Sequence, residues 1–123
     1  MGKKILIAED SSVILNLTKK ILVQQHFDIT TVKNGKAVLE RLENESYDLI
    51  LMDINMPLLD GMETTKRIRS MANKKVASVP IFAITGNAGN YSVDEFKAVG
   101  INEYLQKPLD FDRLVTMVNQ YTQ

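Results

Sequence analysis

Five short, mostly apolar segments alternate along this chain with five segments of helical periodicity. The apolar segments are rich in aliphatic and β-branched residues and have the length of strands. Strands that are separated by helices run parallel, so the alternation predicts one parallel sheet with helices on both faces. The fold class predicted is therefore α/β, a doubly wound (βα)5 sheet of five strands. The predicted strands are 5–8, 28–32, 49–52, 80–85 and 103–106.

Capping residues and helical spacing locate the five helices between and after these strands. Ser11 or Ser12 can cap the first helix, and His26, the only histidine, is predicted to end it in solvent. Gly100 fits the position just past the end of the fourth helix. The polar stretch 71–78 is predicted to be an irregular surface loop. The predicted helices cover about 13–22, 37–42, 62–70, 92–99 and the residues from 110 onward.

Composition narrows the class of protein further. The chain has 123 residues, 45% of them hydrophobic, which fits a single domain over residues 1–123 with no output domain. Fifteen basic and 15 acidic side chains cancel, which argues against a nucleic-acid or anionic membrane surface. Cysteine is absent, which excludes disulfides and thiolate chemistry. No apolar run is long enough to span a bilayer and no signal peptide is evident, so we expect a cytoplasmic protein.

Reactive side chains follow four of the five predicted strands at their carboxyl ends. The pair Glu9-Asp10 follows the first strand, Asp53 the third and Lys107 the fifth, while Thr85 ends the fourth. In an open parallel sheet, ligands bind outside the carboxyl ends of the strands. The sequence therefore predicts one site that contains three carboxylates, a hydroxyl and an ammonium group.

The carboxylates at this edge repel one another and need a counter-charge. Mg²⁺ prefers oxygen ligands and is typically held by one or two carboxylates together with phosphate oxygens. Asp10 and Asp53 are candidate direct ligands, Glu9 binds directly or through water, and the backbone carbonyl of Asn55 can add a further oxygen. The competing interpretation is that the acidic pair only caps the first helix. Capping fits Asp10 but leaves Asp53 unexplained.

A carboxylate beside Mg²⁺ can also act as a nucleophile toward phosphorus and form an aspartyl phosphate. Phosphoryl transfer depends on positioning and on neutralising the phosphoryl oxygens, and Thr85 and Lys107 carry suitable groups. The peptide bond between Lys107 and Pro108 can be cis or trans. A cis bond makes a tight turn that aims Lys107 over the sheet edge, whereas a trans proline starts the last helix. The sequence leaves both open.

These residues, in this order, resemble the receiver domain of two-component response regulators. The resemblance covers the chain from Lys3 to about Tyr121, and its most specific stretch is 52–61, around Asp53. The acidic pair, Thr85 and Lys107-Pro108 complete the pattern.

The resemblance implies the flavodoxin-like strand order 2-1-3-4-5. It also implies that Asp53 accepts a phosphoryl group from a histidine kinase or phosphotransfer protein. Glu9, Asp10, Asp53 and the carbonyl of Asn55 would hold Mg²⁺, and Lys107 and Thr85 would contact the phosphoryl oxygens. Tyr104 matches the switch aromatic of the family, which turns inward as Thr85 moves toward the phosphoryl group.

Such a protein is a signalling switch that assists only its own phosphorylation and dephosphorylation, and is not otherwise an enzyme. The added charge would change the surface of the fourth helix, the fifth strand and the fifth helix, where a downstream partner or a phosphorylation-dependent dimer would bind. The side chains of Asn55 and Asn87 flank the path of an attacking water and should tune the lifetime of the phosphoryl group. The glycine- and asparagine-rich stretch 86–90 is predicted to be mobile without phosphorylation.

Three other readings remain open from the residues. A haloacid-dehalogenase-type phosphatase also uses an aspartate at a strand end, but it normally has a second aspartate where this chain has Asn55. A receiver-like module that binds partners without phosphorylation would not need all of the reactive side chains, and this chain retains every one of them. A flavin protein needs a glycine-rich phosphate loop where this chain has the acidic stretch 9–12. The chain itself fits a stand-alone regulator or the receiver of a larger protein such as a hybrid kinase.

Overall fold

A five-stranded parallel sheet forms the centre of the protein, as the alternation of segments predicts. The computed structural model describes residues 2–86 and 91–123. The strand order is β2-β1-β3-β4-β5, which confirms the order implied by the resemblance. The strands are β1 (Lys4–Ala8), β2 (Asp28–Val32), β3 (Leu49–Asp53), β4 (Ile81–Thr85) and β5 (Glu103–Gln106).

Helices cover both faces of the sheet, and one more is present than the sequence predicted. The extra helix is a single turn within the stretch predicted as a loop. The side chain of Asn73 caps it by accepting hydrogen bonds from Lys75 N and Val76 N, and four residues are too few to show a helical period. No helix among the described residues has both the length and the apolar surface to span a bilayer. The helices are α1 (Ser12–Gln24), α2 (Gly35–Asn44), α3 (Gly61–Arg69), α4 (Lys74–Ala77), α5 (Val93–Val99) and α6 (Phe111–Thr122).

Alternation along the strands divides the core into two layers. In β1, Ile5 and Ile7 point to the face covered by α1 and α6, whereas Leu6 and Ala8 point to the face covered by α2, α3 and α5. Every residue of β3 and β4 is buried, because helices cover both sides of these central strands. This burial fixes the register and with it the level at which each strand ends.

The strand ends are level, so residues just beyond them share one edge of the sheet. Ala8 of β1 pairs with Met52, Asp53 of β3 pairs with Ile84, and Thr85 of β4 pairs with Gln106. The residue after Ala8 and the residue after Gln106 therefore lie beside Asp53 and Thr85. This is the edge at which the sequence predicted the site.

At the opposite end of the sheet, one arginine joins three parts of the fold. The Arg69 guanidinium donates to the carbonyls of Ala77 (2.7 Å), Val79 (2.7 Å) and Gly100 (3.0 and 2.6 Å), and to Asn102 Oδ1 (3.1 Å). All five of its N–H groups are used. Two of the carbonyls lie at the carboxyl ends of α4 and α5, where the helix dipole favours a cation. Arg69 thus fixes the end of α5 and the start of β5.

We predict that Gly61→Ala lowers the free energy of unfolding by about 1–3 kcal/mol, because a side chain does not fit there. A Cβ at this position would lie 2.6 Å from the carbonyl oxygen of Asp53 and 2.9 Å from the Cα of Ile54. Urea unfolding measures the loss. Gly86→Ala is the matched control, since among the described residues the one atom its Cβ would meet is Lys107 Cδ, at an ordinary contact distance of 3.7 Å. Equal stability of the two variants would contradict the packing argument.

Candidate functional site

Three carboxylates meet at the carboxyl edge of the sheet. One oxygen of each of Glu9, Asp10 and Asp53 lies within 4.8 Å of the others. Glu9 and Asp53 are each 1% exposed, whereas Asp10 is exposed. The cluster therefore has two buried acids at its base and one at its mouth, and the structure brings together the acids that the sequence singled out.

Lys107 reaches the same cluster from the end of β5. Its Nζ lies 3.3 Å from Glu9 Oε1 and 3.6 Å from Asp53 Oδ2. Its backbone N–H donates to the carbonyl of Thr85 at 2.8 Å, which continues the pairing of β4 and β5. The bond to Pro108 is cis, one of the two forms that the sequence left open. The ammonium group thus lies between the two buried carboxylates.

The environment of Asp53 favours the protonated acid. Burial, with the hydrogen bond and negative charge of Glu9 acting in the same direction, raises its pKa from 3.8 to about 7. The Lys107 ammonium and the hydrogen bond from Asn55 N–H (3.1 Å) oppose the shift but do not cancel it. A carboxylate held in this way is a candidate functional group, because ionising it costs free energy that a cation can repay.

We predict that metal-free Asp53→Asn is more stable than the parent protein above pH 7, by on the order of 3 kcal/mol. The pKa of Asp53 is raised in the fold, so its contribution to stability is fully present below its ordinary pKa of 3.8 and is lost as the pH rises through about 7. Asparagine does not titrate, so the two proteins should converge in stability near pH 4. Thermal unfolding in a chelator across this pH range measures the difference. A difference that is constant with pH would contradict the raised pKa.

The donor set fits a hard divalent cation. Three carboxylates and one ammonium leave a formal excess of two negative charges. Glu9 Oε2 accepts the N–H of Ser11 at 3.1 Å, but its buried Oε1 receives no hydrogen bond from the described residues. Its one charge partner among the described residues is the Lys107 ammonium at 3.3 Å, which it shares with Asp53, so this buried oxygen is incompletely satisfied. Mg²⁺ and Ca²⁺ both bind carboxylate oxygens, and either ion would give Glu9 Oε1 a further positive partner.

Thr85 and Asn55 lie at the same edge of the sheet. Thr85 is 1% exposed and is the last residue of β4, one residue beyond Ile84, which pairs with Asp53 at the end of β3. Asn55 is exposed and gives its backbone N–H to Asp53. Asn87 and all of the stretch 86–90 except Gly86 lie outside the described residues, so the expectations about them stay predictions.

Tyr104 lies outward in this structure, on the face of the sheet that α5 covers. Its side chain is 37% exposed and its ring stacks on that of Phe96, with 5.6 Å between centroids and 26° between planes. Sequence reasoning identified Tyr104 but missed this contact. Phe96 follows an ordinary helical pattern, and nothing in its spacing indicates which aromatic it meets.

An apolar groove adjoins the cluster and was also missed by sequence reasoning. Val13 and Leu17 lie in the segment predicted as the first helix, where an apolar pattern predicts burial, yet they are 77% and 46% exposed. They line a cavity of about 190 Å³ together with Ile14, Pro108 and Phe111. Lys107 lies at the same cavity, so the groove borders the acidic cluster directly.

Comparison with known proteins identifies relatives across nearly the whole chain. The family model described as "Response regulator receiver domain" matches residues 5–119. "Hybrid signal transduction histidine kinase I" of Dictyostelium discoideum is 37% identical over 122 residues, which are 95% of this chain but 7% of that protein. The chain thus spans a small part of the length of this relative.

Solved structures show the same fold. The receiver domain of a sensor histidine kinase from Pseudomonas aeruginosa has a TM-score of 0.89 and 31% identity, with 99% of this chain and 98% of that chain covered. That structure is described as having a magnesium ion coordinated in the active-site cleft. Chemotaxis response regulator CheY4 of Vibrio cholerae has a TM-score of 0.88 and 26% identity, with 98% and 99% covered.

Proposed function

The chain belongs to the response regulator receiver family of two-component signalling, and on this basis we propose that it is a phospho-accepting switch. In this proposal a phosphoryl group passes from the phosphohistidine of a histidine kinase or phosphotransfer protein to Asp53. The observation that carries it is the position of Asp53, buried at a strand end between the Lys107 ammonium and the two other acids. The domain acts as one receiver module over residues 1–123, alone or within a longer protein.

The transfer requires Asp53 in its ionised form. One of its carboxylate oxygens attacks phosphorus, the bond between phosphorus and the donor imidazole nitrogen breaks, and an acyl phosphate results. The Lys107 ammonium neutralises charge on the phosphoryl oxygens, and the Thr85 hydroxyl donates to one of them. Water later hydrolyses the acyl phosphate and restores Asp53. The protein thus promotes one phosphorylation and one dephosphorylation of itself and is no enzyme in the usual sense.

We propose Mg²⁺ as the cofactor, held by Glu9, Asp10, Asp53 and the backbone carbonyl of Asn55. When bound, it neutralises the carboxylates and the phosphoryl oxygens and so permits their approach. The buried Glu9 Oε1 and the excess of negative charge support this assignment. The neighbour from Pseudomonas aeruginosa, with magnesium in its cleft, supports it independently.

The output is a change at the surface formed by α5, β5 and α6. A phosphoryl group adds about −1.5 to −2 charges at Asp53, and Thr85 gains a charge-assisted hydrogen bond only in that state. Tyr104 then turns inward and changes the surface that a partner protein, or a second copy of this chain, would bind. Histidine phosphodonors obtain their phosphoryl group from ATP, which is a cytoplasmic metabolite. We therefore propose that the protein acts in the cytoplasm.

We place the docking surface for the protein donor on the groove of Val13, Leu17, Pro108 and Phe111. We predict that Val13→Asp slows transfer from a phosphorylated donor domain at least tenfold, because a charge must be desolvated at the contact. Phosphorylation by acetyl phosphate, which needs no docking surface, should stay within twofold of the parent. Single-turnover kinetics with both donors measure the two rates. An equal loss with both donors would contradict docking at this groove.

The Mg²⁺ requirement tests the proposal as a whole. Incubation with phosphoramidate, which carries a phosphorus–nitrogen bond, should give a single phosphoryl adduct in intact-mass measurement. A chelator should abolish the adduct and excess Mg²⁺ should restore it. An adduct that forms equally well in the chelator would contradict the metal assignment. Steady release of phosphate from many donors would instead indicate a phosphatase.

A further inference from the structure

We infer that Phe96 is a positioning residue that holds Tyr104 outward and thereby sets the resting balance of the switch. This inference rests on the proposed function of Tyr104. It starts from the ring contact itself: the two rings are stacked, and residue Tyr104 is 37% exposed whereas residue Phe96 is 3% exposed. Tyr104 therefore covers Phe96 from the solvent side.

Phe96 is the fixed member of the pair. It lies in the middle of α5, whose first turn is closed by a reciprocal capping box between Ser92 and Glu95. The other end of α5 is held at Gly100, whose carbonyl accepts two hydrogen bonds from Arg69. Because both ends of this short helix are fixed, the ring that changes position is Tyr104.

The path open to Tyr104 runs along one face of the sheet toward Thr85. Tyr104 pairs with Ala83 in the register of β5 and β4, and residues two apart in a strand share a face, so Ala83 and Thr85 both lie on this face. Ala83 has a small side chain, so among the described residues the neighbouring position of β4 places little bulk in that direction. Two cavities of about 190 Å³ each, both lined by Val93, Phe96 and Tyr104, border the ring pair. Tyr104 is thus held by its contact with Phe96 and not by close packing on every side.

An inward turn of Tyr104 must break the stack and expose the Phe96 ring. An aromatic pair of this geometry shifts an equilibrium by roughly two- to tenfold beyond the area it buries. The stack therefore makes the inward state rarer in the unphosphorylated protein. A ligand that binds the inward state then binds more weakly by the same factor.

The test compares Phe96→Leu, which keeps an apolar side chain but removes the ring, with Tyr91→Leu as the matched control. Tyr91 also contacts Phe96, with 5.9 Å between the ring centroids and 49° between the planes, so Tyr91→Leu removes an aromatic neighbour of Phe96 but leaves the stack of Phe96 on Tyr104. Both variants are first checked for thermal stability. The first readout needs no phosphorylation: the relaxation of the Tyr104 ring protons by a soluble paramagnetic probe, measured in the free protein. We expect a lower enhancement in Phe96→Leu, because the ring spends more time inward, and no change in Tyr91→Leu.

The second readout is the affinity for beryllofluoride in the presence of Mg²⁺, since beryllofluoride mimics the phosphoryl group. We expect Phe96→Leu to bind it about two- to tenfold more tightly than the parent, and Tyr91→Leu to match the parent. Unchanged relaxation and unchanged affinity in a folded Phe96→Leu would overturn the inference. Failure of the parent to bind beryllofluoride would instead overturn the proposed function, and the relaxation data would still decide the role of Phe96.

Discussion

Replacement of Asp53 by asparagine should abolish phosphoryl incorporation from acetyl phosphate. The amide lacks the anionic oxygen that attacks phosphorus, and no other described carboxylate lies both at a strand end and within reach of Lys107 except Glu9. The fold should survive, because the variant removes a buried charge whose ionisation is unfavourable. Intact-mass measurement should therefore show a folded, unmodified protein.

Asp94→Asn is the matched control for this experiment. Asp94 is an exposed carboxylate in the first turn of α5. Its substitution by asparagine therefore makes the same chemical change at a position away from the cluster. The control should incorporate one phosphoryl group at the parental rate. An adduct on Asp53→Asn of the same size and rate would show that another residue is the acceptor.

Replacement of Lys107 by methionine should slow phosphorylation by about 10²–10³-fold, the usual loss when a group that stabilises developing charge is removed. Methionine retains much of the side-chain length but carries no charge. The parental ammonium lies 3.6 Å from Asp53 Oδ2, and it also lowers the pKa of Asp53. Single-turnover rates with acetyl phosphate at saturating Mg²⁺ measure the loss.

A second pH separates the two effects of the lysine. Without Lys107 the pKa of Asp53 rises further in the metal-free protein, so part of the loss at pH 7 comes from the proton that Mg²⁺ binding must displace from the nucleophile. At pH 9 that part should disappear, while the loss of charge stabilisation should remain. Lys33→Met is the control, since Lys33 is an exposed lysine at the same edge that contacts Ser12 Oγ at 2.8 Å. Full recovery of the Lys107→Met rate at pH 9 would contradict a direct role on the phosphoryl oxygens.

The layout of the fold could be predicted because it depends on local patterns. Fully apolar strands such as β3 and β4 indicate burial on both faces, and the alternation with helices indicates parallel pairing. The order of the strands does not follow from these patterns, and it came from the resemblance to a family. The short α4 was missed because a single capped turn has no period to detect.

The candidate site could be predicted because a parallel sheet gathers residues that are distant in sequence. Glu9 and Lys107 follow a strand and Asp53 ends one, and level strand ends place them together without further information. The contacts that depend on side-chain packing were not predictable. Arg69 meets carbonyls up to 31 residues away, and Phe96 meets Tyr104 across the loop between α5 and β5. Charge and periodicity carry no signal for such contacts.

The most direct test of the central claim locates the phosphoryl group chemically. The protein is treated with acetyl phosphate and Mg²⁺, reduced with borohydride, which converts an aspartyl phosphate to homoserine, and digested for peptide mass analysis. The account predicts homoserine at position 53 and unmodified aspartate or glutamate at positions 9 and 10. Reduction at either of those acids, or a phosphoryl adduct that leaves position 53 unreduced, would contradict it.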